Sequence, residues 1–269
     1  MNNSTGRKVV IITGASSGIG AAVARRLARD GFCLTLAARR LERLEQVASE
    51  VKALGGEALI VQTDVCKREE IQRMVDTTLD RWGHIDVMLS NAGIGNGKPL
   101  IQMTQEKIQD TVKTNLVAVI ECAQVVLPVM LQQKSGHIIN VASIAGLIGV
   151  PTSTVYGATK FGIVGFSDAL RRELDGTGIR VSAFCPGFTP TEIDPELKAV
   201  AEEPGAPHPP GLMPVSYVAD QIAHLIYHPR RRVVVPYSWN FLVFIATFFP
   251  GFADTVIRIF INWRAKGKI

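Results

Sequence analysis

Short apolar runs rich in β-branched residues alternate with longer amphipathic stretches of helical period along most of this chain. Strands that alternate with helices pair in parallel, and the helices cover both faces of the resulting sheet. The alternation therefore predicts an α/β fold with a doubly wound, seven-stranded parallel sheet. The predicted strands are 8–13, 32–37, 58–62, 87–91, 136–142, 180–185 and 232–236, and the predicted helices are 19–30, 41–54, 68–82, 104–133, 154–175 and 216–227.

The chain divides into a body, 1–236, and a C-terminal extension, 237–269. We expect the body to be one domain, because no Ser/Gly-rich or charged linker interrupts its first 185 residues. Within the body, 188–214 contains seven prolines and little periodicity. A loop of that length in a compact domain is usually either a functional lid or disordered. We favour a lid over the crevice at the carboxyl ends of the strands.

The C-terminal extension differs in composition from the body. It holds nine of the 18 aromatic residues and a net charge of +3, against +5 for the whole chain. Apolar residues recur there at helical spacing on both sides of Pro250-Gly251, which predicts two short amphipathic helices. These residues are Phe241, Phe244, Ile245, Phe248 and Phe252, then Val256, Ile259, Phe260 and Trp263. The stretch 241–249 is shorter than the roughly 20 apolar residues of a membrane span. A membrane surface and an interface with a second subunit or the substrate pocket are equally open as partners.

The cysteines and histidines are scattered along the chain. The four cysteines lack Cys-x-x-Cys pairing, and the only close histidine pair is His224 and His228. We therefore expect reduced thiols and no metal site. Residues 1–8 contain no apolar leader, so we expect a cytoplasmic location, with membrane association through the extension as the open alternative. The basic residues are dispersed and no recognition motif accompanies them, so no nucleic-acid partner is expected.

A glycine-rich turn joins the first predicted strand to the first predicted helix. This glycine turn, 13–20, is Thr13-Gly14-Ala15-Ser16-Ser17-Gly18-Ile19-Gly20. Glycines let the backbone approach a pyrophosphate closely, and a helix N-terminus offers free N–H groups and a partial positive charge. The turn and its context predict a dinucleotide site.

The second predicted strand leads into Ala37-Ala38-Arg39-Arg40. An NAD-binding chain would place an acid here for the ribose 2′-hydroxyl, and this chain has none. Guanidinium groups bind phosphates well, so arginines here fit the 2′-phosphate of NADP(H). Cations at the start of a helix interact unfavourably with the helix dipole, which favours a functional role for them over a purely structural one. Arg39 and Arg40 therefore predict that NADP(H) is preferred over NAD(H).

Tyr156 and Lys160 are four residues apart on a predicted helix, so they share a face, separated by about 6 Å of rise. A nearby cation stabilises a phenolate, and we therefore expect Lys160 to lower the pKa of Tyr156. Ser143 follows another predicted strand, at the edge of the sheet where the crevice should be. Together the three side chains predict a proton-transfer site.

These motifs resemble those of the short-chain dehydrogenase/reductase family. The resemblance covers about residues 7–236 and extends to Asp64-Val65, Asn91-Ala92-Gly93, Asn115 and Pro186-Gly187. The occurrence of all these motifs in this order is highly specific. The resemblance implies a Rossmann fold and an NAD(P)-dependent oxidoreductase that moves a hydride between the nicotinamide and a carbonyl or alcohol carbon.

The resemblance also implies a role for each matching residue. Tyr156 would be the catalytic acid/base, Ser143 would orient the substrate carbonyl, and Lys160 would hold the nicotinamide ribose and tune the tyrosine. Asn115 would kink a helix and position a proton-relay water. The implied cofactor contacts are Gly14, Ser16, Ser17, Gly18, Ile19 and Gly20 at the pyrophosphate, Asp64 and Val65 at the adenine, Asn91, Ala92 and Gly93 beside the cofactor, and Pro186, Gly187, Thr189 and Thr191 at the nicotinamide end. Thr189 departs from the Val or Ile that the family commonly has, but the contact there is usually made by the backbone.

Apolar residues surround the predicted crevice, and no arginine cluster marks a phosphorylated or carboxylated substrate. They are Ile144, Leu147, Ile148, Val150, Pro151, Phe188, Leu212 and Met213. We expect a lipophilic carbonyl or alcohol as the substrate, unless these side chains only pack the fold. We also expect a homo-oligomer, either a dimer or a tetramer. Two other functions stay open on the same fold, a catalytically silent dinucleotide sensor or scaffold and a non-redox epimerase or dehydratase.

Overall fold

The computed structural model describes residues 6–95, 97–202, 211–255 and 258. Seven parallel strands form one sheet in the order β3-β2-β1-β4-β5-β6-β7. The strands are β1 Val9–Thr13, β2 Cys33–Ala38, β3 Glu57–Gln62, β4 Val87–Ser90, β5 Gly136–Val141, β6 Ile179–Pro186 and β7 Arg232–Val235. The α-helices are α1 Gly18–Ala28, α2 Leu41–Ala53, α3 Arg68–Trp82, α4 Gln105–Val112, α5 Ala118–Gln133, α6 Thr154–Glu173, α7 Pro195–Glu202, α8 Val215–Tyr227 and α9 Trp239–Phe248. The predicted doubly wound sheet is confirmed, and every strand end lies within one residue of its predicted position.

The sheet buries both of its faces under helices. On β1, Val10 and Ile12 belong to a core that includes side chains of α1, α2 and α8. Ile11, between them, belongs to a second core with side chains of α3, α5 and α6. Because successive side chains of a strand alternate between faces, a strand that is covered on both faces is apolar throughout. This burial explains why the strands appear in the sequence as continuous apolar runs.

The strand order places the predicted motifs along one edge of the sheet. β1 and β4 are neighbours, so the connections from these two strands leave in opposite directions. Ligands of open α/β sheets bind outside the carboxyl ends of the strands at such a point. The glycine turn follows β1, the motif 91–93 follows β4, and Ser143 follows β5 two residues after its end.

The predicted helix 104–133 is interrupted in the structure. One turn of π-helix, Lys113–Val117, separates α4 from α5, at the asparagine for which the resemblance implied a kink. Gln105–Gln133 is the one stretch among the described residues that is long and apolar enough to cross a membrane. Its residues Cys122, Val126 and Met130 are buried in the core beneath the sheet. We therefore interpret it as a core helix.

The prediction of an irregular loop throughout 188–214 was wrong for part of it, because α7 occupies Pro195–Glu202. Asp194 caps this helix, since its side-chain oxygen accepts the Leu197 N–H at 2.9 Å. Leu197 is buried, and Lys198 forms an i,i+4 ion pair with Glu202 at 3.8 Å. A proline at the first helical position removes only an N–H group that has no partner within the helix, so Pro195 was misread as a breaker. The stretch 203–210 lies outside the described residues.

The C-terminal extension begins with α9, and helical backbone resumes over 250–255. Trp239 anchors α9, because its ring packs edge-to-face on Phe188 at 5.4 Å and lies where a Cβ on Gly187 would stand. The rest of α9 is apolar on most sides rather than amphipathic, and none of its residues is fully buried. Phe241, Phe244, Phe248, Phe249 and Phe252 are exposed. The second predicted stripe, Val256, Ile259, Phe260 and Trp263, lies outside the described residues.

Candidate active site

Two positions of the glycine turn favour glycine over residues with a side chain. Gly14 has a φ of +66°, in the left-handed region that favours glycine. A Cβ on Gly20 would collide with the carbonyl oxygen of Gly14. Ser17 precedes α1 in an extended conformation, and its side chain caps no N–H group of that helix. The turn therefore offers bare backbone and uncapped N–H groups, which fit the pyrophosphate of a dinucleotide.

Asn91 ties the loop after β4 to the glycine turn. Its side-chain nitrogen donates to the Thr13 carbonyl at 2.9 Å. The backbone N–H groups of Asn91 and Ala92 donate to the Thr13 hydroxyl at 2.9 and 3.1 Å. Gly93 comes next, and a Cβ there would lie 3.3 Å from the Asn115 side-chain oxygen and 3.8 Å from the Lys160 ammonium. The motif 91–93 thus connects the glycine turn to the groups predicted to be catalytic.

Asp64 and Val65 lie in the turn after β3, near the edge of the sheet. The Asp64 side chain accepts the N–H of Cys66 at 3.0 Å, and the Asp64 N–H donates to the Glu70 carboxylate at 2.7 Å. Val65 is buried. Glu70 belongs to the first turn of α3, so this ligand-facing turn is fixed to the helix that follows it.

The two arginines after β2 have different surroundings. Arg40 donates from Nη2 to the hydroxyls of Ser17 at 2.7 Å and Ser16 at 3.1 Å, and from Nη1 to the Glu192 carboxylate at 2.8 Å. Arg39 is exposed, and its side chain makes no hydrogen bond or ion pair within the described part of the chain. Arg40 is therefore held against the glycine turn, whereas Arg39, its neighbour in the chain, is free to bind a ligand.

Asn115 is completely buried in the π-helical turn. Its side chain accepts the Ile94 N–H at 2.8 Å and donates to the Ile94 carbonyl at 2.9 Å. It also reaches the Thr159 hydroxyl on α6 at 3.4 Å. The asparagine therefore holds the loop after β4 against α6.

Ser143 and Tyr156 meet across the crevice. Ser143 lies just beyond β5 at the start of a short 3₁₀-helix, where its Oγ accepts the Ala145 N–H at 3.1 Å. Tyr156 lies in the first turn of α6, close enough to Ser143 for the serine hydroxyl to act on the pKa of the phenol and lower it. The phenol can give a proton to a substrate oxygen at this place or take one from it, and the serine hydroxyl can support the same oxygen.

Lys160 is buried one turn further along α6. Its ammonium donates to the Val141 carbonyl at 2.9 Å, and burial lowers its pKa to about 8. The expectation that Lys160 lowers the pKa of Tyr156 was wrong for this structure. Burial raises the pKa of Tyr156, the charge of Asp194 raises it further, and only the hydrogen bond from Ser143 opposes them. The ammonium lies over the ring face, 5.5 Å from the ring centre.

The residues after β6 line the other side of the crevice. Pro186 ends β6, and the Gly187 N–H donates to the Val235 carbonyl at 2.7 Å. Thr189 is buried, with its hydroxyl 3.3 Å from the Gly187 carbonyl. The Thr191 side chain approaches the glycine turn, since a Cβ on Gly18 would lie 3.2 Å from its methyl group. The structure thus brings Thr191 to the N-terminus of α1.

Most of the chain, including the residues of this site, matches the model of one protein family. The model of the short chain dehydrogenases matches residues 8–201. The chain belongs to the short-chain dehydrogenase/reductase family. It is an NAD(P)-dependent oxidoreductase that acts on CH–OH and C=O groups.

Curated relatives of this short-chain dehydrogenase/reductase include oxidoreductases with and without an assigned substrate. An uncharacterized oxidoreductase of Listeria innocua is 43% identical over 188 residues, which are 69% of this chain and 76% of the relative. A 3-oxoacyl-[acyl-carrier-protein] reductase of Synechocystis is 39% identical over 193 residues, which are 71% of this chain and 78% of the relative.

Solved structures of the same family superpose over most of the chain. A variant of actinorhodin polyketide ketoreductase with NADPH has a TM-score of 0.77 at 33% identity, and the match covers 86% of this chain and 97% of that one. A short-chain dehydrogenase/reductase from Burkholderia phymatum with NAD has a TM-score of 0.81 at 28% identity, and the match covers 90% and 93%. Neighbours of this short-chain dehydrogenase/reductase thus include proteins solved with either cofactor.

The sequence did not predict the contacts of two residues near the site, Glu192 and Trp239. Glu192 binds Arg40 although 152 positions separate them, and no sequence pattern indicates such a pair. Trp239 covers Gly187 from the C-terminal extension. Its position at the start of an aromatic helix was visible in the sequence, but its contact was not. Both lie next to motifs of the short-chain dehydrogenase/reductase family, and neither belongs to one.

Proposed function

We propose that this enzyme interconverts a carbonyl and a secondary alcohol on a lipophilic substrate with NADP(H). The observation that carries the proposal is the placement of the Tyr156 phenol beside Ser143 at the carboxyl edge of the sheet, with the ammonium of buried Lys160 over the phenol ring. A phenol, a second hydroxyl and a cation at one place can donate a proton to a carbonyl oxygen and stabilise its developing charge. In this proposal 1–236 is the catalytic domain and the C-terminal extension is a contact surface.

In this proposal a dinucleotide binds along the crevice at the carboxyl ends of the strands. The proposed contacts are the backbone of Gly14, Ser16, Ser17, Gly18, Ile19 and Gly20 with the pyrophosphate, Asp64 and Val65 with the adenine, Asn91, Ala92 and Gly93 along the middle, and Pro186, Gly187, Thr189 and Thr191 at the nicotinamide end. When bound, the nicotinamide supplies the hydride to the substrate carbon or accepts it.

The side chains of α6 and β5 handle the proton. In reduction, the Tyr156 hydroxyl gives its proton to the carbonyl oxygen, and in oxidation the same oxygen takes the proton of the alcohol. The Ser143 hydroxyl donates a second hydrogen bond to the substrate oxygen. Lys160 would hold the nicotinamide ribose. The Asn115 side chain is committed to Ile94, so any relay water that Asn115 orders would be held by its backbone.

The pKa of Tyr156 bears on the direction of the reaction. Because burial raises it, the phenol carries its proton at neutral pH and is ready to act as an acid. We therefore propose that the phenol can act as the acid in reduction at neutral pH, whereas oxidation needs the phenolate and so a higher pH.

The preference for NADP(H) rests on the residues after β2. Arg39 is exposed and unpaired among the described residues, and Ala38 stands where an acid would bind a ribose 2′-hydroxyl. A guanidinium group makes charge-assisted hydrogen bonds to a phosphate. Arg39 and Arg40 would therefore bind the 2′-phosphate together, with Arg39 free to do so without breaking another contact.

The lipophilic substrate class rests on part of the apolar set predicted from the sequence. Ile144 and Met213 are buried in the fold and belong to its packing. Phe188 and Leu212 are partly exposed, as are Leu147 and Ile148, while Val150 and Pro151 are exposed. The exposed and partly exposed residues would form the walls of an apolar pocket beside Tyr156.

We also propose that the enzyme is a homo-oligomer, a dimer or a tetramer. α4 packs against α6, and both carry exposed apolar side chains. These are Val112 on α4 and Phe161 on α6, together with Ile120 and Leu131 on neighbouring α5. Apolar side chains on adjoining helices favour burial against a second copy.

The C-terminal extension would rest on an anionic membrane surface. Residues 237–253 contain no charged side chain, and four of the five charged side chains that follow are positive. Exposed aromatics followed by cations are typical of segments that lie at a membrane interface. A second copy would instead bring its own cations to the same face. The proposed location is the cytoplasm, at a membrane surface.

Progress curves of NADPH absorbance with a panel of lipophilic ketones test the proposed reaction. We expect steady oxidation of NADPH with at least one ketone. NADPH binding without turnover on any ketone would favour a sensor or scaffold. Conversion of a substrate without net change in NADPH would favour an epimerase or dehydratase.

A further inference from the structure

Glu192 lies between two arginines of the segment that follows β2. One carboxylate oxygen is 2.8 Å from Nη1 of Arg40, and the other accepts a hydrogen bond from Arg43 in the first turn of α2. These hydrogen bonds hold the pKa of Glu192 at about 2, so the carboxylate is charged at any working pH. The Glu192 carboxylate therefore occupies the position in which an anionic ligand of these two arginines would bind.

The hydrogen bonds of Arg40 orient it toward this carboxylate. Its Nε and Nη2 groups are directed to the hydroxyls of Ser16 and Ser17 in the glycine turn, at 2.7–3.3 Å. Nη1 is then the group that Arg40 presents outward, and Glu192 occupies it. Arg40 is thus fixed at the rim of the dinucleotide crevice with its outward group already engaged by an anion.

We infer that Glu192 is a specificity-determining residue, because its carboxylate competes with the adenosine 2′-phosphate of NADP(H) for Arg40. The inference rests on the proposed place of the 2′-phosphate beside Arg39 and Arg40. A phosphate monoester carries close to two negative charges at neutral pH. Glu192 must therefore leave Arg40 or be repelled when NADP(H) binds. NAD(H) has a hydroxyl at this position, so Glu192 can keep its ion pair.

The position of Glu192 in the chain supports this competition. It directly follows Thr191, whose side chain lies against Gly18 of the glycine turn. Asp194, two residues later, caps α7. Within the described part of the chain neither Thr191 nor Asp194 pairs with an arginine, so rotation of the Glu192 side chain away from Arg40 breaks only its own ion pairs and leaves the cap of α7 in place.

Dissociation constants of NADPH and NADH for the full chain and for Glu192→Gln test the inference. They are measured at low ionic strength, where ion pairs are least screened. The matched control is Glu202→Gln, which removes one carboxylate from the end of α7. We expect Glu192→Gln to bind NADPH about two- to fivefold more tightly, the range of a partly exposed ion pair, with NADH unchanged. Adenosine 2′-monophosphate should bind more tightly to the variant as well, and adenosine 5′-monophosphate should not.

Three results would overturn the inference. Weaker NADPH binding in Glu192→Gln would mean that the carboxylate holds the cofactor in place rather than competing with it. An unchanged ratio of NADPH to NADH affinity would remove its role in specificity. An equal gain in Glu202→Gln would reduce the effect to net charge. If the unmodified enzyme shows no preference for NADPH, the proposed cofactor preference fails, but the change between Glu192→Gln and the unmodified enzyme still decides the role of Glu192.

Discussion

The ammonium of Lys160 lies over the face of the Tyr156 ring, 5.5 Å from its centre. It donates a hydrogen bond to the Val141 carbonyl at the end of β5. Burial lowers the pKa of Lys160 to about 8 and raises that of Tyr156. The lysine thus loses its charge at a lower pH than an exposed lysine, while the tyrosine keeps its proton to a higher pH than an exposed tyrosine.

Tyr156→Phe should abolish turnover and leave cofactor affinity nearly unchanged, because the lost hydroxyl acts on the substrate proton. General acid catalysis contributes about 10²–10⁴-fold to a rate, so kcat should fall by at least 10²-fold. Steady-state kinetics and NADPH titration measure the two effects. The control is Tyr217→Phe, which removes the hydroxyl of an exposed tyrosine on α8. A Tyr156→Phe variant with more than about a tenth of the original kcat would rule out this role.

Lys160→Ala should harm both turnover and cofactor binding, in contrast to Tyr156→Phe. The lysine is proposed to hold the nicotinamide ribose, and its removal also leaves the Val141 carbonyl without its donor. NADPH titration and kcat are measured on the same preparation. An unchanged dissociation constant for NADPH would leave Lys160 with no part in binding the ribose.

Much of the fold could be predicted because its causes are local. The apolar runs and helical periods depend on burial against the sheet, and the parallel topology follows from their alternation. α7 was missed because, in a sequence, a proline at the start of a helix cannot be told from a proline in a loop. The burial of Leu197, which stabilises the helix, is visible only in the structure. The π-helical turn at Asn115 was anticipated only through family resemblance, since periodicity predicts a continuous helix over 104–133.

The candidate site was predictable where its residues stand at strand ends, because a parallel sheet brings those ends together. Ser143 was found in this way, whereas Tyr156 was found from its four-residue spacing to Lys160 on a predicted helix. The contact between Glu192 and Arg40 depends on the path of the chain after β6, which no local pattern determines. The pKa of Tyr156 was predicted with the wrong sign, because spacing along a helix gives proximity to Lys160 but not the depth of burial.

Arg39→Ala should weaken NADPH binding by about tenfold or more and leave NADH binding unchanged. A hydrogen bond to a charged group contributes about 1.5–3 kcal/mol, and only NADPH carries the phosphate. Fluorescence titration of both cofactors gives the ratio. Arg29→Ala is the matched control, since it removes an exposed arginine after the end of α1. Equal affinities of the unmodified enzyme for NADPH and NADH would contradict the proposed preference.

His137 should make the fold sensitive to acid. Its Nε2 lies 2.8 Å from the Ser182 hydroxyl, which donates to the Arg230 carbonyl, and its buried Nδ1 has no partner in the described part of the chain. Burial lowers its pKa to about 4. Above pH 6.5 both the folded and the unfolded chain hold His137 neutral. As the pH falls from 6.5 to 4, His137 is protonated in the unfolded chain but stays neutral in the folded chain. The free energy of unfolding therefore falls, by up to about 3 kcal/mol.

Urea unfolding at pH 7 and pH 4.5 measures this effect of His137. The free energy of unfolding should fall less between the two pH values in His137→Gln than in the unmodified enzyme, by about 2–3 kcal/mol. Glutamine keeps a donor for Ser182 and has no proton to gain. His224→Gln, at an exposed histidine of α8, is the control. Equal losses in the His137→Gln variant and the unmodified enzyme would mean that His137 is protonated in the folded state.

The C-terminal extension should bind anionic vesicles through its exposed phenylalanines. Phe241 and Phe248 are 66% and 65% exposed, and contiguous apolar surface of this kind is rare on soluble monomers unless something covers it. Full-length enzyme should sediment with vesicles that contain anionic lipid and be partly released by salt, because salt screens the contribution of the cations. Phe241→Ser with Phe248→Ser should lose sedimentation and still bind NADPH.

The control for the vesicle experiment is Phe161→Ser, which removes an exposed phenylalanine from α6 and should leave sedimentation unchanged. The double variant keeps Trp239, the anchor of α9 on Phe188, so its loss of vesicle binding cannot come from detachment of the helix. Enzyme that ignores vesicles and loses oligomeric mass in the double variant would assign the face to a second copy. Enzyme that ignores vesicles and shows a raised KM for bulky ketones in the double variant would assign it to the substrate pocket, because Trp239 of α9 lies against Gly187, at the proposed nicotinamide end of the crevice.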